Sequence, residues 1–235
     1  MRPRSPAPEA RDRQHRPVPE GPLRPFSATL VSGLPFDSGH TVWFLDLYET
    51  PTEPEHYREI WIIEPDGTRV LYSGSQAAVE SVLRYHAFDE TGVGDIDLYT
   101  DGVGGLEVRL SGPDRELELS VATTETTATT LLTAATRLTP TVVARSGPGN
   151  WLATVLFNRL GGARGTALVG HTETGSPYRF EGRSIRRVGS ATGTLDGVDL
   201  GSMAERAPAQ SFGDIGTPAR PLVMEGDIFL PVEEP

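Results

Sequence analysis

Cysteine and lysine are both absent from the 235 residues. Without cysteine there is no disulfide, no thiolate nucleophile and no thiolate metal site, and the redox compartment stays open. Without lysine, no side-chain amine can form a Schiff base with a carbonyl substrate; all 21 basic residues are Arg. No apolar run approaches the roughly 20 residues that span a bilayer, and the N-terminus lacks the apolar stretch of a signal peptide. A soluble, cytoplasmic protein with no membrane partner is the simplest expectation. The chain also lacks a P-loop, a G-x-G-x-x-G after a strand, an H-E-x-x-H and a G-x-S-x-G.

Charge is uneven along what is present. Residues 1–25 are rich in Pro and Arg, hold almost no large apolar side chain, and carry six Arg against Glu9, Asp12 and Glu20. Such a segment cannot bury enough surface to offset its ordering entropy, so it reads as a disordered tail. Residues 26–235 carry fifteen Arg against twenty-nine acids. A body with that balance repels nucleic acid. Its length suits one domain with a sizeable core.

Chemistry concentrates in Val42–Gly74, where apolar strands, a tight turn and a group of ionisable residues coincide. Val42–Tyr48 and Arg58–Glu64 are β-branched and aromatic runs, and Pro65-Asp66-Gly67 is a hairpin turn before a return strand, Thr68–Ser73. Strand alternation puts Glu59, Trp61 and Ile63 on one face and Arg58, Ile60, Ile62 and Glu64 on the other. Glu59 therefore looks inward beside a large aromatic, or stands in water where the strand emerges. In the first case desolvation disfavours its charged form, which suits a general acid or base near neutral pH.

Outside that stretch, Phe26–Ser32 reads as a strand. Ser75–Phe88 reads as a helix, with Val79, Val82, Leu83 and His86 on its apolar face. A histidine there suits a hydrogen-bonded core position, and also proton transfer. Asp95, Asp97 and Asp101 lack the ligand order of a calcium loop and read as turn residues. Leu106–Ser111 and Arg115–Val121 form a second hairpin with one wet face. Thr123–Thr139 and Pro148–Leu160 carry helical patterns. Arg164–His171, Pro177–Val188, Ser190–Asp196 and Arg220–Val232 read as strands, the last bulged or split at Gly226. Nine or ten strands with two or three helices and no βαβ alternation predict an α+β fold. Its sheet is mainly antiparallel and curved into a closed barrel or cone.

The run Tyr48-Glu-Thr-Pro-x-x-Pro, then Tyr57-x-Glu59 and a strand ending in Pro65-x-Gly67, resembles the signature region of acetoacetate decarboxylase-like proteins. Asp227-Ile228-Phe229-Leu230-Pro231 adds a weaker match. The resemblance implies a cone-like sheet around a small hydrophobic cavity, and it assigns the glutamate of Y-x-E to Glu59. Where that family's lysine is expected, Ser81–Glu90 supplies Arg84, Tyr85 and His86. The family's Schiff-base decarboxylation is thereby excluded.

Two functions follow as expectations. One is a cofactor-independent lyase, dehydratase, isomerase or cyclase acting on a small, largely apolar carbonyl compound. Glu59, His56 and His86 would move protons, Arg84, Arg164 or Arg179 would hold an anionic oxygen, and Tyr57, Trp61 and Tyr85 would line the site. The other is a binding protein with the same cavity and no turnover. Neither needs a metal. A Glu53–His56–Glu59 metal set would require helical geometry that Pro51 and Pro54 oppose. A homo-oligomer is compatible with either.

Overall fold

A computed structural model of the chain describes residues 21–101, 104–138, 147–160, 166–205 and 210–232. The expected tail lies outside these up to residue 20, as does Arg164. Leu23–Pro25, expected in that tail, instead open β1 and pair with Phe229, Leu230 and Pro231.

The fold is α+β, with three helices among the described residues and a nearly closed, barrel-shaped sheet. Its strands are β1 (Leu23–Pro35), β2 (Thr41–Glu49), β3 (Tyr57–Ile63), β4 (Arg69–Ser73), β5 (Glu90–Val93), β6 (Asp95–Thr100), β7 (Gly105–Ser111) and β8 (Glu116–Thr124), then β9 (Val169–His171), β10 (Pro177–Leu195), β11 (Val198–Asp199) and β14 (Leu222–Pro231). A separate two-stranded hairpin is β12 (Ser211–Phe212) with β13 (Ile215–Gly216). The helices are α1 (Gln76–Leu83), α2 (Thr127–Leu138) and α3 (Gly147–Leu160).

Neighbouring strands run in the order β5-β4-β3-β2-β1-β14-β10-β8-β7-β6, with β9 and β11 paired to β10. The pairs are antiparallel except β4 with β5, which is parallel. The two ends of that order are consecutive in the chain, with Gly94 alone between β5 and β6. One continuous stretch therefore pairs with β4 through its first half and with β7 through its second. A Cβ added at Gly94 would lie 2.9 Å from both the Gly112 Cα and the Ser111 carbonyl oxygen. Gly94→Ala should therefore cost about 1–3 kcal/mol, because backbone at the seam has to move. A melting curve would show this, and an unchanged midpoint would refute the tight seam.

Alternation along these strands builds two cores. Val31, Phe44, Ile60, Ile62, Val70, Val108 and Leu117 face inward and pack into one buried cluster that spans the ring from β4 to β7. The expectation of an apolar chamber inside the sheet is thus corrected: among the described residues, the lumen is filled by side chains. On the opposite face of β2 and β3, Trp43, Leu45, Tyr57, Trp61 and Ile63 point outward and are buried beneath Ala78, Val79 and Val82 of α1 and by Phe212 of the hairpin. A third cluster, Ile185, Leu222 and Met224, lies under Leu132 of α2 and Phe157 of α3.

Candidate functional site

The outward layer under α1 holds the chemistry. Leu45, Glu59 and Ser73 share one rung of β2, β3 and β4. Strand alternation turns Glu59 toward the side that carries Trp61, and α1 covers it, leaving 3% of the residue exposed. The sequence alternatives of inward face and wet edge are both replaced. Glu59 lies on the outer wall of the barrel and is nonetheless buried, because a helix packs over that wall. Burial pushes its carboxyl up to about 8 against the opposing effect of the Trp61 hydrogen bond. The Trp61 Nε1–H donates to Glu59 Oε2 at 3.1 Å.

Trp61 is the hub of an aromatic group. Its ring lies 5.8 Å from Trp43, 4.7 Å from Phe212, 5.3 Å from Phe88 and 4.9 Å from His86. The helix ends at Leu83 rather than near Phe88, so His86 belongs to the turn after α1. Its side chain is still only 11% exposed. Burial, reinforced by the charge of Arg69, drives the imidazole down to about 3, so it is neutral near pH 7. Arg69 grips Glu173 with two bonds of 2.7 and 3.1 Å, and its guanidinium carbon sits 4.1 Å over Phe212. Glu173 Oε2 also accepts from the Ala87 amide at 3.1 Å and stands 3.8 Å from His86 Nδ1.

Among the described residues, two buried polar atoms in this layer have no hydrogen-bond partner, Trp43 Nε1 and His86 Nδ1. A buried N–H without an acceptor loses its hydration with nothing in return, which is uncommon in folded proteins. A ligand oxygen would satisfy it.

The other sequence candidates divide. Tyr57 and Tyr85 are in the same layer, where the Tyr57 hydroxyl lies 3.4 Å from Ser81 Oγ and the Tyr85 hydroxyl donates to the Pro231 carbonyl at 2.8 Å. Burial pushes the Tyr57 phenol upward, so it stays protonated. His56 is on the opposite face of the sheet from Glu59. Its Nε2 lies 3.0 Å from Asp46 Oδ1, which also accepts from Arg58 Nε at 3.0 Å. His56 precedes β3 and shares Asp46 with Arg58, which alternates with Glu59, so the structure does not bring His56 and Glu59 together. Arg84 is exposed at the C-cap of α1. Arg179 lies 2.9 Å from Glu181 and 4.3 Å over Phe229, on the face of β10 opposite Tyr178. Among the described residues no three His, Cys, Asp or Glu converge to hold a metal, and Glu59 and His56 point apart.

Trp43, Arg69, Phe88, Glu173 and Phe212 complete the site without having been singled out from sequence. Trp43 was accessible in principle, since it shares the alternation of β2 and pairs with Trp61. Phe212 comes from a Gly- and Pro-rich stretch with no periodic signal, and Glu173 is 104 residues from Arg69.

No family model matches the chain, and no curated protein does. A search of solved structures finds "a putative AttH (NE1406)" from Nitrosomonas europaea, 12% identical with a TM-score of 0.31, covering 88% of this chain and 51% of that one. The chain spans about half the length of that protein, and a likeness this distant carries no argument about activity. The protein is an α+β barrel with a buried carboxyl under a helix on its outer wall. No described helix is long and apolar enough to cross a membrane.

Proposed function

We propose that the protein binds a small, largely apolar carbonyl compound in the aromatic layer beneath α1 and converts it by acid–base chemistry, with Glu59 as the proton donor. The observation that carries this reading is the buried carboxyl of Glu59, held protonated up to about 8 beside an indole. A carboxylic acid that keeps its proton at neutral pH can deliver it to a carbonyl oxygen or an enolate carbon. Trp43 Nε1, which lacks a partner, would hydrogen-bond the same oxygen. Neutral His86 offers the second proton-transfer atom, and no cofactor is required. Within this reading the chain is a divergent relative of acetoacetate decarboxylase-like proteins without their lysine, supported by the motif series around Glu59.

A non-catalytic binding protein is the second reading, favoured by the unpartnered Trp43 and His86 nitrogens, which call for a ligand but not for turnover. Glu59→Gln separates the two. It should retain affinity for short-chain ketones or keto acids, measured by quenching of tryptophan emission, and abolish their conversion. Binding without conversion by the parent protein would leave only the second reading.

Phe212 covers the site from the β12–β13 hairpin and is 1% exposed. Phe212→Ala should raise the association rate of such probes several-fold at a stability cost of about 3 kcal/mol. An unchanged association rate in stopped flow would mean that ligands do not enter past this ring.

A further inference from the structure

Between Thr126 and Thr172 the chain holds four Arg and no Asp or Glu, which leaves a net charge of −15 for the rest of a chain whose total is −11. This stretch contains α2 and α3, the pair that lies outside the barrel over β10 and β14. Among the described helical residues, the exposed large apolar side chains all lie on this pair. Trp151 is 66% exposed, Leu131 57% and Leu152 51%, on elements that otherwise bury Leu132 and Phe157. Arg159 is exposed on α3, seven residues on from Leu152 and so on the same side of the helix. An exposed indole and two leucines with Arg beside them cost solubility in water and return nothing to the fold.

We propose that the α2–α3 face docks on an anionic lipid surface, with Trp151, Leu131 and Leu152 entering the headgroup region and Arg159 meeting lipid phosphates. Charge selects this occupant. The acidic body is repelled by such a surface while the acid-free segment is attracted, so the molecule arrives with this face foremost. An indole suits the boundary between headgroups and acyl chains, where its ring is apolar and its N–H stays wet. The expectation of no membrane partner considered only spanning runs, which adsorption of a helix pair does not need. The inference is independent of the chemistry assigned to Glu59.

The test uses the full chain with phosphatidylglycerol vesicles and, separately, phosphatidylcholine vesicles, followed by flotation and by tryptophan emission. Trp43 and Trp61 are buried, so a blue shift on binding reports Trp151. Phosphatidylglycerol should bind the protein and phosphatidylcholine much less, and salt should weaken the binding. Trp151→Glu and Leu152→Glu should each bind about tenfold more weakly, and Arg159→Glu should lose roughly tenfold on phosphatidylglycerol alone, all three with circular dichroism like the parent's. No flotation with phosphatidylglycerol overturns the proposal, as does equal binding by the Glu variants. Self-association abolished by Trp151→Glu, without vesicle binding, would overturn it in favour of a contact between two copies of the chain.

Discussion

Replacing Glu59 by Gln should raise the stability of the folded chain by roughly 3 kcal/mol at pH 7 and leave it little changed at pH 4. In the folded state the carboxyl titrates near 8 rather than near 4.5. The folded chain therefore holds a proton that the unfolded chain has released across that window. Its stability is full below about pH 4.5, declines as the pH rises, and has lost this contribution above about 8. An amide cannot ionise, and its oxygen can still accept from the Trp61 indole. The variant should therefore show no such decline. Urea unfolding of both proteins at pH 4, 6 and 8 measures the difference. Parallel curves would show that the carboxyl ionises freely in the folded state, and the role assigned to it as a proton donor would fall with that.

The second large effect lies on the acid side. His86 titrates near 3 in the fold against an ordinary 6.5. Here the unfolded chain binds the extra proton, so the contribution is present above about pH 6.5 and is lost as the pH falls toward 3. At pH 4 the loss amounts to roughly 3 kcal/mol. His86→Asn should remove that slope: it should lower stability near neutral pH through lost contact with Trp61 and Phe212, and the difference from the parent should shrink as the pH falls toward 4. Because the two groups act in opposite senses, their contributions cancel between about pH 4.5 and 6.5, and stability falls away on both sides. A stability maximum displaced to pH 8 or above would contradict the Glu59 assignment, and one displaced below pH 4 would contradict that of His86.

Much of the barrel was legible in the sequence. The β2–β3–β4 meander follows from β-branched runs around Pro65-Asp66-Gly67, and the shared face of Glu59, Trp61 and Ile63 follows from their alternation. Gly189 separates the two stretches read as distinct strands, Pro177–Val188 and Ser190–Asp196. In the structure β10 continues through it with a bulge, and a Cβ there would meet Thr124 Oγ1 at 2.5 Å. The glycine marks close approach of two strands, not a reversal. Which wall of the barrel receives Glu59 was not legible, since alternation defines two faces but not which one a later helix will cover. The Arg69–Glu173 clamp and Phe212 depend on contacts between distant segments and left no local trace.

The position of β14 has a bearing on how the chain acquires its shape. Val223 pairs with Val31 on one side and Arg186 on the other, so β14, the last of the described strands, fills the gap between β1 and β10, the first and the longest of them. During synthesis β1 must wait, with its apolar residues unsheltered, until nearly two hundred further residues have left the ribosome. Assembly of this kind is slow and exposes sticky edges to neighbours. Ending translation at Pro221 would accordingly yield an open sheet with β1 and β10 as unpaired edges prone to aggregate, not a closed barrel short of one strand.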